Sequence, residues 1–167
     1  MAERLMILQG DKLVYEGLFD MKELITVVRQ WAADTGYWVI DSHQNESVRP
    51  EGKYVTLEWI IFKKFTDYAK SLFKMNVQFQ GIKDVVVERD GKKVKLQEGK
   101  AIISFDILLE TDYENRWEVK PLFYVIRIIF EKYVYSPFIS SFERQIKADY
   151  SLLKNNMKAY LNLAQLT

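Results

Sequence analysis

Residues 140–163 have the sequence SSFERQIKADYSLLKNNMKAYLNL, and this stretch decides the predicted architecture. Its apolar and aromatic side chains recur every three or four residues, which places them on one face of a helix. With the adjoining residues, that face comprises Ile139, Phe142, Ile146, Tyr150, Leu153, Met157, Tyr160 and Ala164. A helix of about 24 residues is about 36 Å long at 1.5 Å per residue. We therefore expect a broad apolar surface beneath it, supplied by the preceding part of the chain.

The middle of the chain predicts antiparallel strands. In residues 68–80, apolar and polar residues alternate, which is typical of a sheet with one buried and one wet face. The apolar set is Phe73, Met75, Val77 and Phe79. Residues 101–112 alternate in the same way, with Ile103, Phe105, Ile107 and Leu109 on the buried side. These two faces together supply the apolar surface that the C-terminal helix requires.

The first third of the chain predicts strands at 3–8 and 12–17, joined by a turn at Gln9-Gly10-Asp11. A helix follows, with Asp20 as its N-cap, Glu23 completing a capping box and Gly36 as its C-terminal residue.

The later segments are expected in the following order. Strands are predicted at 37–46 and 53–65, separated by a loop at 45–52. Asp90-Gly91 predicts a tight hairpin between strands at 85–88 and 93–96. A further turn is expected at 97–99. An apolar, aromatic helix is predicted at 122–135, after Pro121, with Ser136-Pro137 separating it from the final helix.

Composition limits the classes of function. The chain has 167 residues, 49% hydrophobic and 28% charged, which suits a single folded domain spanning 1–167. It has no cysteine and only one histidine, so disulfides, thiolate catalysis and cysteine-based zinc or iron–sulfur sites are excluded. The formal net charge of +1 lacks the basic excess of nucleic-acid-binding proteins. We therefore predict no nucleic-acid partner, no metal and no cofactor.

The sequence also bears on localisation. The N-terminal residues MAERLMILQGDK lack the basic region and apolar run of a secretory signal. The longest apolar run, at 121–129, is interrupted by Arg127 and is shorter than the roughly 20 residues of a membrane-spanning helix. We expect a cytoplasmic protein with no integral membrane segment.

This order of elements resembles the helix-grip fold of the START-like and polyketide-cyclase-like superfamily. The resemblance implies an α+β domain in which a curved antiparallel meander packs against a long, amphipathic C-terminal helix. It also implies an apolar ligand between the sheet and the helices. The sequence differs from that pattern in having one long helix after the first strands and an extra apolar helix at 122–135.

The leading functional hypothesis is a non-enzymatic module that binds a small apolar or amphipathic ligand between sheet and helices. The predicted ligand-binding residues are Phe79, Phe105, Arg116, Trp117 and Phe123. The alternative is an interaction protein that forms a homodimer or binds a partner through helix 122–135, without ligand. An enzyme is the third hypothesis.

Two groups of residues carry chemistry that an enzyme or a metal site could use. Asp106, Glu110, Asp112 and Glu114 form an acidic ladder that suits a divalent cation or an acid–base pair. The favoured alternative is a solvent-facing row paired with lysines of a neighbouring strand. His43 follows Asp41 by two residues, on the same face if the strand is regular, and the pair could act as a general base. The favoured alternative here is an exposed histidine.

Overall fold

A computed structural model of the chain describes residues 3–111 and 136–165. The elements in chain order are β1 (Glu3–Phe19), α1 (Met21–Thr35), β2 (Trp38–Arg49), β3 (Gly52–Lys64), β4 (Ala69–Arg89), β5 (Lys92–Thr111) and α2 (Ser136–Gln165). The strands form one five-stranded sheet in the order β1-β5-β4-β3-β2, with every neighbouring pair antiparallel. The predicted α+β class and antiparallel meander are confirmed for these residues.

Both helices pack on one face of the sheet, which we call the inner face. Trp31 of α1 and Tyr150 of α2 each contact the ring of Phe73 on β4. Because β1 and β2 lie at opposite edges of the sheet, α1 crosses from one edge to the other. The opposite side of the sheet, to which the alternate residues of each strand point, is called the outer face.

The ends of α1 follow the sequence prediction. The Asp20 carboxylate accepts the backbone N–H groups of Lys22 and Glu23, which caps the first turn. Gly36 ends the helix at a φ of 77°, in the left-handed region that glycine adopts at low cost. The capping box is incomplete, because the backbone N–H of Asp20 donates to the hydroxyl of Tyr160 on α2 at 2.9 Å.

Three predicted interruptions of strands are wrong. Residues 9–11 are not a turn, because β1 runs from Glu3 to Phe19 and pairs with β5 on both sides of the irregularities near Gly10. The predicted loop at 45–52 is strand up to Arg49, and the predicted turn at 97–99 lies within β5. In each case, pairing with a distant strand satisfies the backbone and overrides local turn-forming residues.

The hairpin between β4 and β5 confirms its prediction. Arg89 and Lys92 are paired residues, and Asp90 and Gly91 between them have φ values of 48° and 75°. Positive φ at both central positions is the geometry of a type I′ turn, which matches the twist of the two strands.

The core lies between the inner face and the two helices. The predicted apolar sets of β4 and β5 are buried, as are Ile146, Leu153 and Met157 of α2, which are 0% exposed. Pro137 lies in the first turn of α2, where its missing N–H has no helical partner to lose. The amphipathic C-terminal helix predicted from the sequence is therefore confirmed, with Leu161 added to its buried stripe.

Some predictions fall outside these ranges. The predicted helix at 122–135 and the residues Arg116, Trp117 and Phe123 lie outside the described residues. Within the described part of the chain, neither helix has the length and hydrophobicity required to cross a membrane.

Candidate binding surface on the outer face of the sheet

A row of apolar residues runs across the outer face, with one residue on each of the five described strands. Directly paired residues of neighbouring strands point to the same face, so the register alone identifies the row. Its members are Trp38, Phe62, Leu72, Leu108 and Met6, each paired with the next. The two ends are the most accessible, since Trp38 is 70% exposed and Met6 is 46% exposed, whereas Leu108 is 7% exposed. Contiguous apolar side chains on a wet sheet face are a feature of binding surfaces.

Beside this row, the outer face contains a pocket with a mixed polar and apolar lining and a volume of about 290 Å³. The next paired set along the strands is Ile60, Lys74 and Asp106, and these residues form its centre. The complete lining is Ser42, Glu58, Trp59, Ile60, Lys74, Met75, Asn76, Ser104 and Asp106. Polar and apolar surfaces therefore adjoin on one side of the sheet.

The charged side chains of the pocket form no ion pair with one another. Lys74 and Asp106 are directly paired on β4 and β5, yet no ion pair joins them, and Lys74 has no polar partner among the described residues. Asp106 uses Oδ1 to accept the backbone N–H of Gly10 at 2.8 Å. Glu58 uses Oε1 to accept the side-chain N–H of Asn76 at 3.3 Å. One ammonium and two carboxylates thus line the same pocket, and each retains hydrogen-bonding atoms that no described residue uses.

Irregular backbone on both edge strands borders this pocket. In β2 the register shifts between Asp41 and His43, and the intervening Ser42 lines the pocket. In β1 the register shifts twice before Asp11, and Gly10 within that segment bonds to Asp106. Bulges of this kind redirect side chains and are frequent beside functional sites. The two irregular segments lie at the same level of the sheet, which supports the interpretation of the pocket as a binding site.

A wider groove of about 490 Å³ lies between α1 and α2. Several of its polar groups are already bonded within the protein. Gln30 donates to Asp34 at 2.8 Å, the Trp31 indole N–H donates to the carbonyl of Asp149, and the Tyr160 hydroxyl bonds to the backbone of Asp20. This groove consequently offers a ligand fewer unused hydrogen-bonding groups than the outer pocket.

The predicted ligand-binding residues that are described lie on the inner face. Phe79 stacks on Phe19 with ring centroids 5.7 Å apart, and Phe105 meets the ring of Tyr150 at 5.1 Å. Both are 1% exposed. Beneath α1, side chains including Phe79 leave no space for a water molecule. Ligand binding by these two residues stays a prediction.

The acidic ladder divides into separate environments. Glu110 bonds to Lys70 at 2.9 Å and to Arg4 at 3.3 Å, on the strands at either side, so it is paired across strands as the alternative predicted, but at 6% exposure it does not face the solvent. Burial alone would raise the pKa of Glu110, but hydrogen bonds and charge from Lys70 and Arg4 outweigh it and hold this pKa below its usual value. Asp112 and Glu114 lie outside the described residues. In the ranges that are described, no three His, Cys, Asp or Glu side chains group as a metal site would require.

His43 and Asp41 do not share a face, because the strand is not regular between them and the condition of that prediction is not met. Asp41 pairs with Trp59, which points inward, whereas His43 pairs with Glu58, which points outward. The bulge at Ser42 reverses the alternation between them. Asp41 instead bonds to Arg29 of α1 at 3.1 Å, and His43 is exposed, as the favoured alternative predicted.

Sequence reasoning missed most of the outer pocket. The alternation of residues 68–80 predicts that Lys74 and Asn76, between the apolar residues, lie on the wet side of the strand, and the structure confirms this; Asp106 was identified only as part of the ladder. The signal available was the alternation within each strand, but the pocket forms only once the register pairs Lys74 with Asp106 and Asn76 with Glu58. Comparison with known proteins adds no residues to this set, because no family model, curated protein or solved structure matches the chain.

Proposed function

We propose that the protein is a non-enzymatic binding module that holds a small amphipathic molecule on the outer face of its sheet. The observation that carries this proposal is the pocket of about 290 Å³ in which Lys74 and Asp106 face each other without bonding. The polar part of the ligand would occupy this pocket, and its apolar part would lie toward Ile60 and the apolar row. A volume close to 300 Å³ is at the small end of known ligand sites.

The arrangement favours binding over catalysis. Nucleophilic catalysis requires a hydroxyl or thiol hydrogen-bonded to a base, which must itself be oriented by a third group. The hydroxyls of Ser42 and Ser104 make no hydrogen bond to Glu58, Asp106 or any other described side chain. The pocket instead presents charged groups that can bond to a ligand directly.

The order of strands in the sheet supports our proposal that the chain has a helix-grip fold. The first strand lies beside the last, α1 connects the two edges, and α2 crosses the inner face. We propose a helix-grip domain with the ligand on the outer face, since the part of the inner interface beneath α1 is filled. The ligand site between sheet and helices and the cytoplasmic location both stay predictions from the sequence.

A second candidate function is that of a homodimer without ligand. The predicted interface helix at 122–135 lies outside the described residues. The observation that favours dimerisation is the exposed apolar end of edge strand β2, where Trp38 is 70% and Ile40 is 50% exposed. A second copy of the chain would cover these side chains.

Native mass spectrometry of the full chain, purified without detergent, tests both proposals. A variant Ser104→Phe would fill the pocket from an outward-facing position, and Gln80→Phe, also outward-facing but outside the pocket, is the matched control. We expect an added mass, released on denaturation, in the wild type and in Gln80→Phe but not in Ser104→Phe. A bare monomer in all three samples would overturn the ligand proposal, and a bare dimer would favour the second candidate.

A further inference from the structure

The charges around the outer pocket restrict the kind of molecule that it can hold. Its lining contains one cation, Lys74, and two carboxylates, Glu58 and Asp106. A purely anionic ligand would meet two like charges, and a purely cationic ligand would meet one. A ligand with both signs at its polar end would satisfy all three groups.

The unused hydrogen-bonding groups of the pocket also include both donors and acceptors. Lys74 offers N–H donors with no polar partner among the described residues. Asp106 and Glu58 each accept one N–H through one oxygen, at 2.8 Å from Gly10 and 3.3 Å from Asn76, and their second oxygens have no described partner. Donors suit an anionic oxygen of the ligand, and carboxylate oxygens suit a primary ammonium rather than a quaternary one.

Apolar side chains beside these charges indicate that the ligand also has an apolar part. Ile60 lies in the pocket, directly paired with Lys74. Phe62 and Leu72 of the apolar row are the next paired residues with side chains on the same face. An apolar chain leaving the pocket in that direction would contact side chains rather than water.

We propose that the ligand class is an amphipathic zwitterion, with a primary ammonium and a carboxylate or similar anion at one end and an aliphatic chain at the other. This inference rests on the proposed function and specifies the chemistry of the same site. Lys74 binds the anionic group, one of the two carboxylates on either side of it, Glu58 on β3 or Asp106 on β5, binds the ammonium, and Ile60 with the apolar row contacts the chain.

The test uses three ligands of nearly equal chain length. Norleucine carries both charges, hexanoate carries only the carboxylate, and pentylamine carries only the ammonium. Each is titrated into the isotopically labelled full chain while the backbone NMR signals of Lys74, Asn76 and Ser104 are followed. We expect norleucine to bind about twofold to fivefold more tightly than either singly charged ligand, because Lys74 and Glu58 are exposed and an ion pair between exposed groups contributes about 0.2–1 kcal/mol. Lengthening the chain of the amino acid should tighten binding by up to about fourfold per CH₂ buried against the row.

Substitutions that remove the charges of the pocket assign the two charges of the ligand. Lys74→Met should reduce norleucine binding to the level of pentylamine, and the double variant Glu58→Gln/Asp106→Asn should reduce it to the level of hexanoate. Lys95→Met, an exposed lysine of β5 outside the pocket, is the matched control and should leave the three affinities unchanged. An unchanged thermal midpoint in every variant would show that the effects arise from binding rather than from unfolding.

The outcomes separate this inference from the function on which it rests. Equal affinity for the three ligands, or tighter binding of hexanoate, would overturn the zwitterion inference. If none of them binds while the wild type still carries a mass that Ser104→Phe lacks, the inference fails and the proposed function stands. If neither binding nor added mass is found, both fail.

Discussion

At the scale of single residues, Asp11 connects the first strand to the last helix. Its carboxylate accepts a hydrogen bond from the Tyr150 hydroxyl, and the same oxygen lies 2.5 Å from the Lys154 ammonium. The hydrogen bond from Lys154, followed by that from Tyr150, holds the pKa of Asp11 below its usual value. Burial and the Asp11 carboxylate together raise the pKa of Tyr150, so this hydroxyl stays protonated as the donor.

The Asp11 contacts predict a pH-dependent contribution to stability. Because the folded-state pKa is below the unfolded value of about 3.9, this contribution is complete above that value and is lost as the pH falls through the folded-state pKa. Asp11→Asn should lower the free energy of unfolding by about 1 kcal/mol at pH 7, and the deficit should shrink below about pH 4. Urea titrations at pH 7, 5 and 3.5 measure it.

Asp41→Asn is the control for this experiment. Asp41 also bonds to a cation, Arg29, but both side chains are largely exposed, so the loss should stay within about 0.5 kcal/mol at every pH. A deficit for Asp11→Asn that is equal at pH 7 and 3.5 would contradict the assignment of the effect to the ionised carboxylate.

Gly52 is a second position of interest at this scale, because only glycine fits there. It starts β3 at a φ of 138°, and a Cβ there would lie 2.7 Å from the carbonyl carbon of Gly81. Gly52→Ala should therefore destabilise the fold by about 3 kcal/mol, through strain and backbone overlap. Gly91→Ala, at a φ of 75° with no atom near its Cβ, should cost about 1 kcal/mol. Thermal unfolding of both variants measures the difference, and equal midpoints would contradict the overlap.

Residue identity predicted local geometry only where neighbours along the chain determine it. Asp20 and Gly36 bound α1 as expected, because caps depend on residues within one helical turn. Gly10 has the positive φ expected of a turn, but its segment stays in β1 and its N–H bonds to Asp106, about a hundred positions away along the chain. No local signal distinguishes a turn glycine from a bulge glycine when the partner is that distant.

At the scale of elements, two adjacent leucines test the orientation of α2 about its own axis. Leu153 is 0% exposed in the core, whereas its neighbour Leu152 is 47% exposed. Leu153→Ala should cost about 3 kcal/mol through lost burial and a residual cavity, which corresponds to a midpoint about 6–12 °C lower. Leu152→Ala should change the stability by no more than about 0.5 kcal/mol. Calorimetry of both variants measures the contrast, and similar losses would show that the helix is rotated from the described orientation.

The extent of the elements was only partly predictable. The period of three to four residues identified α2, and alternation identified the inner face of β4 and β5, because both patterns repeat over many residues. The continuation of β2 to Arg49 was missed, because the exposed polar residues from Gln44 onward have no apolar alternation. Their strand conformation comes from pairing with β3, which local composition does not encode.

At the scale of the whole molecule, the candidate site depends on strand order. Lys74 and Asp106 belong to neighbouring strands, and Ser42 lies on the opposite edge strand from Gly10. The alternation within β4 and β5 indicated which of their residues face outward, but the four pairings between neighbouring strands bring these residues to one level of the sheet with Ser42 and Gly10. A shift of register by one residue would move Lys74 to the inner face, so the site was not accessible to analysis of single strands.

The same strand order predicts a gradient of local stability across the sheet. β4 and β5 each pair on both sides and bury their inward-facing residues, whereas β2 pairs only with β3 among the described strands and is exposed along most of its length. Opening of a segment costs least where few apolar contacts are lost. Of the two edge strands among the described residues, β1 and β2, the more exposed is β2, and its outer edge is therefore the more available to another chain.

Hydrogen exchange followed by mass spectrometry tests this gradient. Peptides covering residues 43–49 should exchange at least about tenfold faster than those covering 72–79 and 101–109, since a tenfold factor requires only about 1.4 kcal/mol of difference in opening free energy. The measurement should be made at two protein concentrations, and the ligand proposal predicts the same rates at both. Protection of residues 43–49 that grows with concentration would mean that a second copy covers the edge of β2, and the homodimer would then replace the ligand-binding module as the better account of the outer face.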